Sequence, residues 1–132
     1  DLFYKQKTAE DGTIFYTVMW QADGETTKII LGLKELGYFN SKYVYGLSAW
    51  TYVVSSENAV PPAVIKLVAS ANDSLAIGSY STSADFTNVY ANMSGVLKNA
   101  TPDEIWMYIA YLHSNRLKLK QQVDQAMAGA SQ

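Results

Sequence analysis

The chain has 132 residues, 48% of them apolar and 17% charged, with a net charge of −2 and no cysteine. A chain of this length buries enough surface to form one domain around one core, and residues 1–132 read as a single domain. The missing cysteine excludes disulfides, thiolate catalysis and Cys-ligated zinc or iron–sulfur sites. The near-neutral balance argues against nucleic acid as a dedicated partner, since phosphate binding needs clustered positive charge.

Residues 2–7 alternate as a strand does, and Ala9-Glu10-Asp11-Gly12 supplies a turn with glycine where φ must be positive, which predicts a hairpin. Its second arm, residues 13–21, puts Ile14, Tyr16, Val18 and Trp20 on one face and Thr13, Phe15, Thr17 and Met19 on the other. The first of these faces is the expected core side. After the turn Ala22-Asp23-Gly24-Glu25, Ile29, Ile30, Leu33 and Leu36 recur at helical spacing and Gly37 stands at a C-cap position, predicting a short helix over residues 26–36. A strand through residues 27–31 is the competing reading, because Gly32 is costly inside a helix.

Residues 43–54, YVYGLSAWTYVV, are apolar on both faces and rich in aromatic and β-branched side chains, as a central strand is. Beyond Pro61 and Pro62, residues 63–69 and 75–80 read as a second hairpin. A helix is then expected from Ser83, with Asp85 in its first turn and Phe86, Val89, Tyr90, Met93, Val96 and Leu97 on one stripe. Thr101-Pro102-Asp103-Glu104 is the clearest start signal in the chain: N-cap, proline at the first helical position, and Glu at N3. That helix extends to about Met127, roughly 40 Å at 1.5 Å per residue. The expected fold is therefore α+β: an antiparallel sheet of about five strands with a short helix, followed by two C-terminal helices packed on the sheet. No apolar run reaches about 18 residues, so no helical membrane span is expected.

Most carboxylates have structural work in this reading. Glu10, Asp11, Asp23, Glu25 and Asp73 fall in turns, and Asp85, Asp103 and Glu104 start helices, leaving no acid/base pair. The single histidine, His113, has no nucleophile to activate and reads as a surface or helix-packing residue. Glycines occur singly, so neither a dinucleotide fingerprint nor a phosphate loop is present. Residues 101–114, TPDEIWMYIAYLHS, are similar to the C-terminal helix of small c-type cytochromes, but no CxxCH haem attachment accompanies them. No cofactor, metal or catalytic residue is assigned, and the chain is not read as an enzyme.

What stands out is ten tyrosines and three tryptophans on a weakly charged chain. Residues 105–112 are apolar or aromatic throughout, more than one packing face needs. Tyr43, Tyr45, Trp50, Tyr52, Trp106, Tyr108 and Tyr111 are the candidates for assembly or ligand contact. The expectation is a non-enzymatic, self-assembling structural subunit of virus-coat or extracellular-filament type, whose partners are copies of itself. The predicted order, a sheet followed by two helices, resembles small RNA-phage coat proteins in organisation, with no shared sequence motif. The alternative is an extracytoplasmic small-ligand-binding or sensory domain with an aromatic-lined pocket between sheet and helices. Asp1 in place of Met suits a chain that has lost a leader, a pro-segment or a tag; an extracellular or virion location is expected, and Asn72, Asn92 and Asn99 head glycosylation sequons. Lys5 and Lys7 share one strand face, and Arg116 and Lys120 one helix face, as local basic patches.

Overall fold

The computed structural model describes residues 3–22, 24–98 and 101–130. Its strands are β1 (Phe3–Thr8), β2 (Ile14–Ala22), β3 (Glu25–Phe39), β4 (Lys42–Ser55), β5 (Ser79–Thr82) and β6 (Asn88–Leu97), and its helices α1 (Pro62–Asn72) and α2 (Pro102–Ala130). All six strands form one antiparallel sheet in the order β1-β2-β3-β4-β6-β5. The α+β class stands, with a sixth strand added and only α2 following the sheet.

Both helices lie on one face. Val18 of β2, Ile29 and Leu31 of β3, Leu47 and Ala49 of β4, and Val89, Ala91 and Met93 of β6 form a buried layer at period two. Against it pack Val64 and Val68 of α1 and Ile109, Leu112, Leu119 and Val123 of α2, spaced by one or two helical turns. Tyr16 and Trp20 pack onto the same core, so the expected core side of β2 is the observed one. The opposite face of the sheet carries neither helix.

Three elements depart from the sequence reading. Residues 26–36 are strand, because Thr27, Ile29, Leu31 and Leu33 bury one side at period two and the β-branched run favours the extended chain. Gly37, read as a C-cap, instead has φ 154° beside a register shift between Glu35 and Gly37. Residues 63–69, read as strand, belong to α1, which Pro62 opens at its first position and whose Val64 and Val68 are one turn apart. Residues 88–97, read as helix, are β6, with Val89, Ala91 and Met93 inward and Tyr90 and Asn92 outward. The Ser83 and Asp85 signal is real but caps a turn. Asp85 accepts hydrogen bonds from the Ser83 hydroxyl at 2.7 Å and from the Thr87 N–H at 3.1 Å.

α2 is fixed by polar contacts as well as by its apolar stripe. His113 is buried beside the Thr27 hydroxyl, with 3.3 Å between Nδ1 and Oγ1. Arg116 donates from Nε to the Tyr52 carbonyl at 2.9 Å and pairs with Glu25 at 3.2 Å. Asn115 donates to the Ile77 carbonyl, and the Tyr80 hydroxyl donates to the Asn115 carbonyl at 2.6 Å. Thr101 caps the helix start by accepting from the Glu104 N–H at 3.3 Å. Among the described residues no helix is long and apolar enough to cross a membrane.

Candidate functional site: exposed aromatic surfaces

β3 and β4 outrun their neighbours. The β2 partner of β3 ends at Leu33 and the β6 partner of β4 begins at Tyr45, so beyond the Glu35–Tyr45 pair residues 36–39 and 42–44 form a two-stranded arm. Four residues at about 3.3 Å each make it roughly 13 Å long. Asn40 and Ser41, with φ of 48° and 63°, give the tip two consecutive left-handed residues, as a type I′ turn requires. Leu36, Tyr38, Phe39 and Tyr43 on this arm are 52–60% exposed. The rings of Tyr38 and Tyr43 meet edge to face with centroids 5.0 Å apart.

A second apolar surface lies on α2. Of the continuous apolar segment 105–112, Ile109 and Leu112 are buried, whereas Trp106, Met107 and Tyr111 are 41–47% exposed. Trp106 packs at a tilt against Trp20, with centroids 4.7 Å apart, and beside it a groove of about 420 Å³ runs between Tyr16, Leu31 and Leu33 of the sheet and Ile105, Trp106 and Ile109 of the helix. Trp20 Nε1 and Glu104 Oε2, at this end of α2, are buried without a hydrogen-bond partner among the described residues. Such atoms cost about 1–3 kcal/mol each when left unsatisfied.

The open face of the sheet holds the third. Trp50, Tyr52 and Tyr90 form a cluster with centroid separations of 5.2–5.7 Å. A bulge between Tyr52 and Val54 ends the regular register beside them. At the far side of this face, Asp11 in the β1–β2 turn is held below its ordinary range, first by the Thr13 N–H at 3.0 Å, and also by Lys34 at 3.6 Å.

The seven sequence candidates thus separate. Tyr43 is on the arm, Trp50 and Tyr52 are on the open face, and Trp106 and Tyr111 are on the outside of α2. Tyr45 and Tyr108 pack partly buried against the core, Tyr108 directly over Gly95, where any Cβ would collide with its ring. The groove between sheet and helix is lined by β2, β3 and α2 rather than by the aromatic strand β4. Sequence reading missed Leu36, Tyr38 and Phe39, because a helix assignment over residues 26–36 hid the arm, and Tyr90, because its strand was read as helix. Of the sequons, Asn72 holds both backbone groups of Tyr80 through its amide, and the Asn92 amide donates to Ser81. Asn99 lies outside the described residues.

Among the described residues no group of three or more His, Asp or Glu has the geometry to hold a metal. Comparison with protein-family models, with curated proteins and with solved structures found no match.

Proposed function

We propose that this chain is a self-assembling structural subunit, of virus-coat or extracellular-filament type, whose partners are copies of itself. The observation that supports it is the β3–β4 arm. It carries four large apolar side chains into solvent on a ribbon with two unpaired edges. Two-stranded ribbons of this kind are marginal in water by themselves, and unpaired edges invite pairing with another chain. Contact with another copy covers the rings and the edges together. The exposed Trp106, Met107 and Tyr111 on α2 supply a second sticky face pointing in another direction, and two unlike patches on one molecule favour extended or closed assemblies.

The test is size-exclusion chromatography with light scattering on the purified chain across a range of concentration and salt, followed by negative-stain electron microscopy. Particles or filaments are the expected result. A monomer under every condition overturns the proposal.

The apolar groove favours a second reading, a small-ligand-binding domain. Its residues Tyr16, Leu31, Leu33 and Trp106 and its volume suit a compact apolar or aromatic molecule. Under that reading Leu33→Ala abolishes binding of such a molecule and leaves assembly intact.

A further inference from the structure

The described lysines of the strands all fall on one face. In the antiparallel register Lys7 stands opposite Phe15, Lys28 opposite Met19, Lys34 opposite Gly46 and Lys42 opposite Phe39. Residues directly opposite one another share a face, and these positions alternate with the buried ones, so the four project away from the helices. The two carboxylates of the described strands take the other side. Glu25 pairs with Arg116 of α2, and Glu35 stands opposite Tyr45, which packs onto the core. Asp11, from a turn, reaches Lys34, whereas among the described residues no ion pair engages Lys7 or Lys28. A net charge of −2 conceals this segregation because it averages over both faces.

Trp50 lies in the middle of the same face, between two depressions. One, of about 540 Å³, is bounded by Lys7, Phe15, Thr17, Ile30 and Trp50. The other, of about 390 Å³, is bounded by Trp50, Ser48, Ser79, Asn92 and Ser94. The indole is braced edge-on by Tyr52 and Tyr90 at 5.5 and 5.7 Å. From cationic side to hydroxyl-rich side, the face therefore offers point charges, π surfaces, then short hydrogen-bonding side chains.

We propose that the open face of the sheet binds single-stranded nucleic acid, with Lys7 and Lys28 on phosphates, Trp50 stacking on a base, and Ser48, Asn92 and Ser94 contacting base edges or sugar. Each part follows from the chemistry of such a ligand. Phosphates need cations free of competing carboxylates; the register sends both strand carboxylates to the other side, and Asp11 of the turn engages Lys34 rather than Lys7 or Lys28. Unpaired bases need exposed rings in a sheet, where stacking tolerates any sequence. A duplex keeps its bases stacked inside and presents nothing for Trp50 to engage, so single strands are the expected ligand. This inference stands independently of self-assembly: a monomer carries the whole face.

The experiment is fluorescence anisotropy of labelled single-stranded RNA and DNA oligonucleotides, and of a duplex of equal charge, titrated with the full chain at about 50 and about 200 mM salt. Both single strands are expected to bind in preference to the duplex, more weakly at the higher salt. Lys7→Ala combined with Lys28→Ala weakens binding across all sequences and lowers the salt slope by about 2. Trp50→Leu loses roughly 5- to 150-fold. Lys118→Ala with Lys120→Ala, on the helical side, leaves affinity within about twofold. No salt-dependent binding by the wild type, equal affinity for the duplex, or equal loss in the helical variant overturns the proposal. If Trp50→Leu does not fold, the two surface lysines carry the test, and an unchanged salt slope in their variant overturns it.

Discussion

Asp85 is exposed, yet its carboxyl is lowered from 3.8 to about 2 by the Ser83 hydroxyl and then by the hydroxyl and N–H of Thr87. A carboxyl depressed in the folded state adds stability that is complete above its unfolded value and vanishes as pH falls through the folded one. The turn before β6 should therefore stay ordered at pH 4 and loosen only near pH 2. The carboxyl carbon of Asp85, followed by NMR, is expected to titrate near 2, and a midpoint near 4 contradicts the capping geometry. Tyr80 is the buried counterpart. Burial raises the pKa of its hydroxyl, which donates to the Asn115 carbonyl in mid-helix. Tyr80→Phe removes this second donor from a carbonyl that keeps its helical one, and should cost about 0.5–1.5 kcal/mol in urea unfolding. A variant as stable as the wild type shows that Asn115 finds another donor.

β6 meets α2 where Tyr108 lies over Gly95, and this contact sets how closely helix and sheet approach. Gly95→Ala places a methyl group against the ring and should cost about 1–3 kcal/mol, as overpacking does. Adding Tyr108→Leu frees the space, so the double variant should recover part of the loss in the same unfolding assay; simple additivity of the two costs excludes the contact. Elements of this kind were legible in the sequence to unequal degrees. β2, β4 and α2 announce themselves, by alternation, by a dense aromatic run and by a cap with proline. β3 and β6 do not, because Ile29, Ile30, Leu33 and Leu36 fit a helical stripe as well as a strand, and only pairing with neighbouring strands decides between them. α1 hides for the converse reason: a short apolar run suits either element until tertiary packing of Val64 and Val68 selects the helix. The arm was unreadable for a related reason, since Asn40-Ser41 adopts a type I′ turn without the glycine that signals one. Of the candidate surface, the aromatic residues were legible by type, but their distribution over three faces depends on strand register.

At the scale of the whole molecule, the sheet has one face under helices, one face in water, and an arm that reaches beyond both. Tyr38 and Phe39 are each 60% exposed and are not among the residues packed on the core cluster, so replacing both by alanine should change monomer stability by no more than about 1 kcal/mol. Their removal nevertheless strips the arm of its largest rings, and rings at the centre of an interface carry a disproportionate share of its energy. If copies cover the arm, Tyr38→Ala with Phe39→Ala should shift light scattering toward small species at concentrations where the wild type forms particles, while circular dichroism and the unfolding midpoint stay close to wild type. Assembly at an unchanged threshold concentration removes the arm from the interface and turns the question to Trp106, Met107 and Tyr111 on α2, the second surface from which self-association is argued. The corresponding variant there, Met107→Ser with Tyr111→Ser, then becomes decisive: both changes lie on the exposed side of α2, so a folded protein that still assembles leaves neither the arm nor this side of α2 as the contact from which self-association is argued.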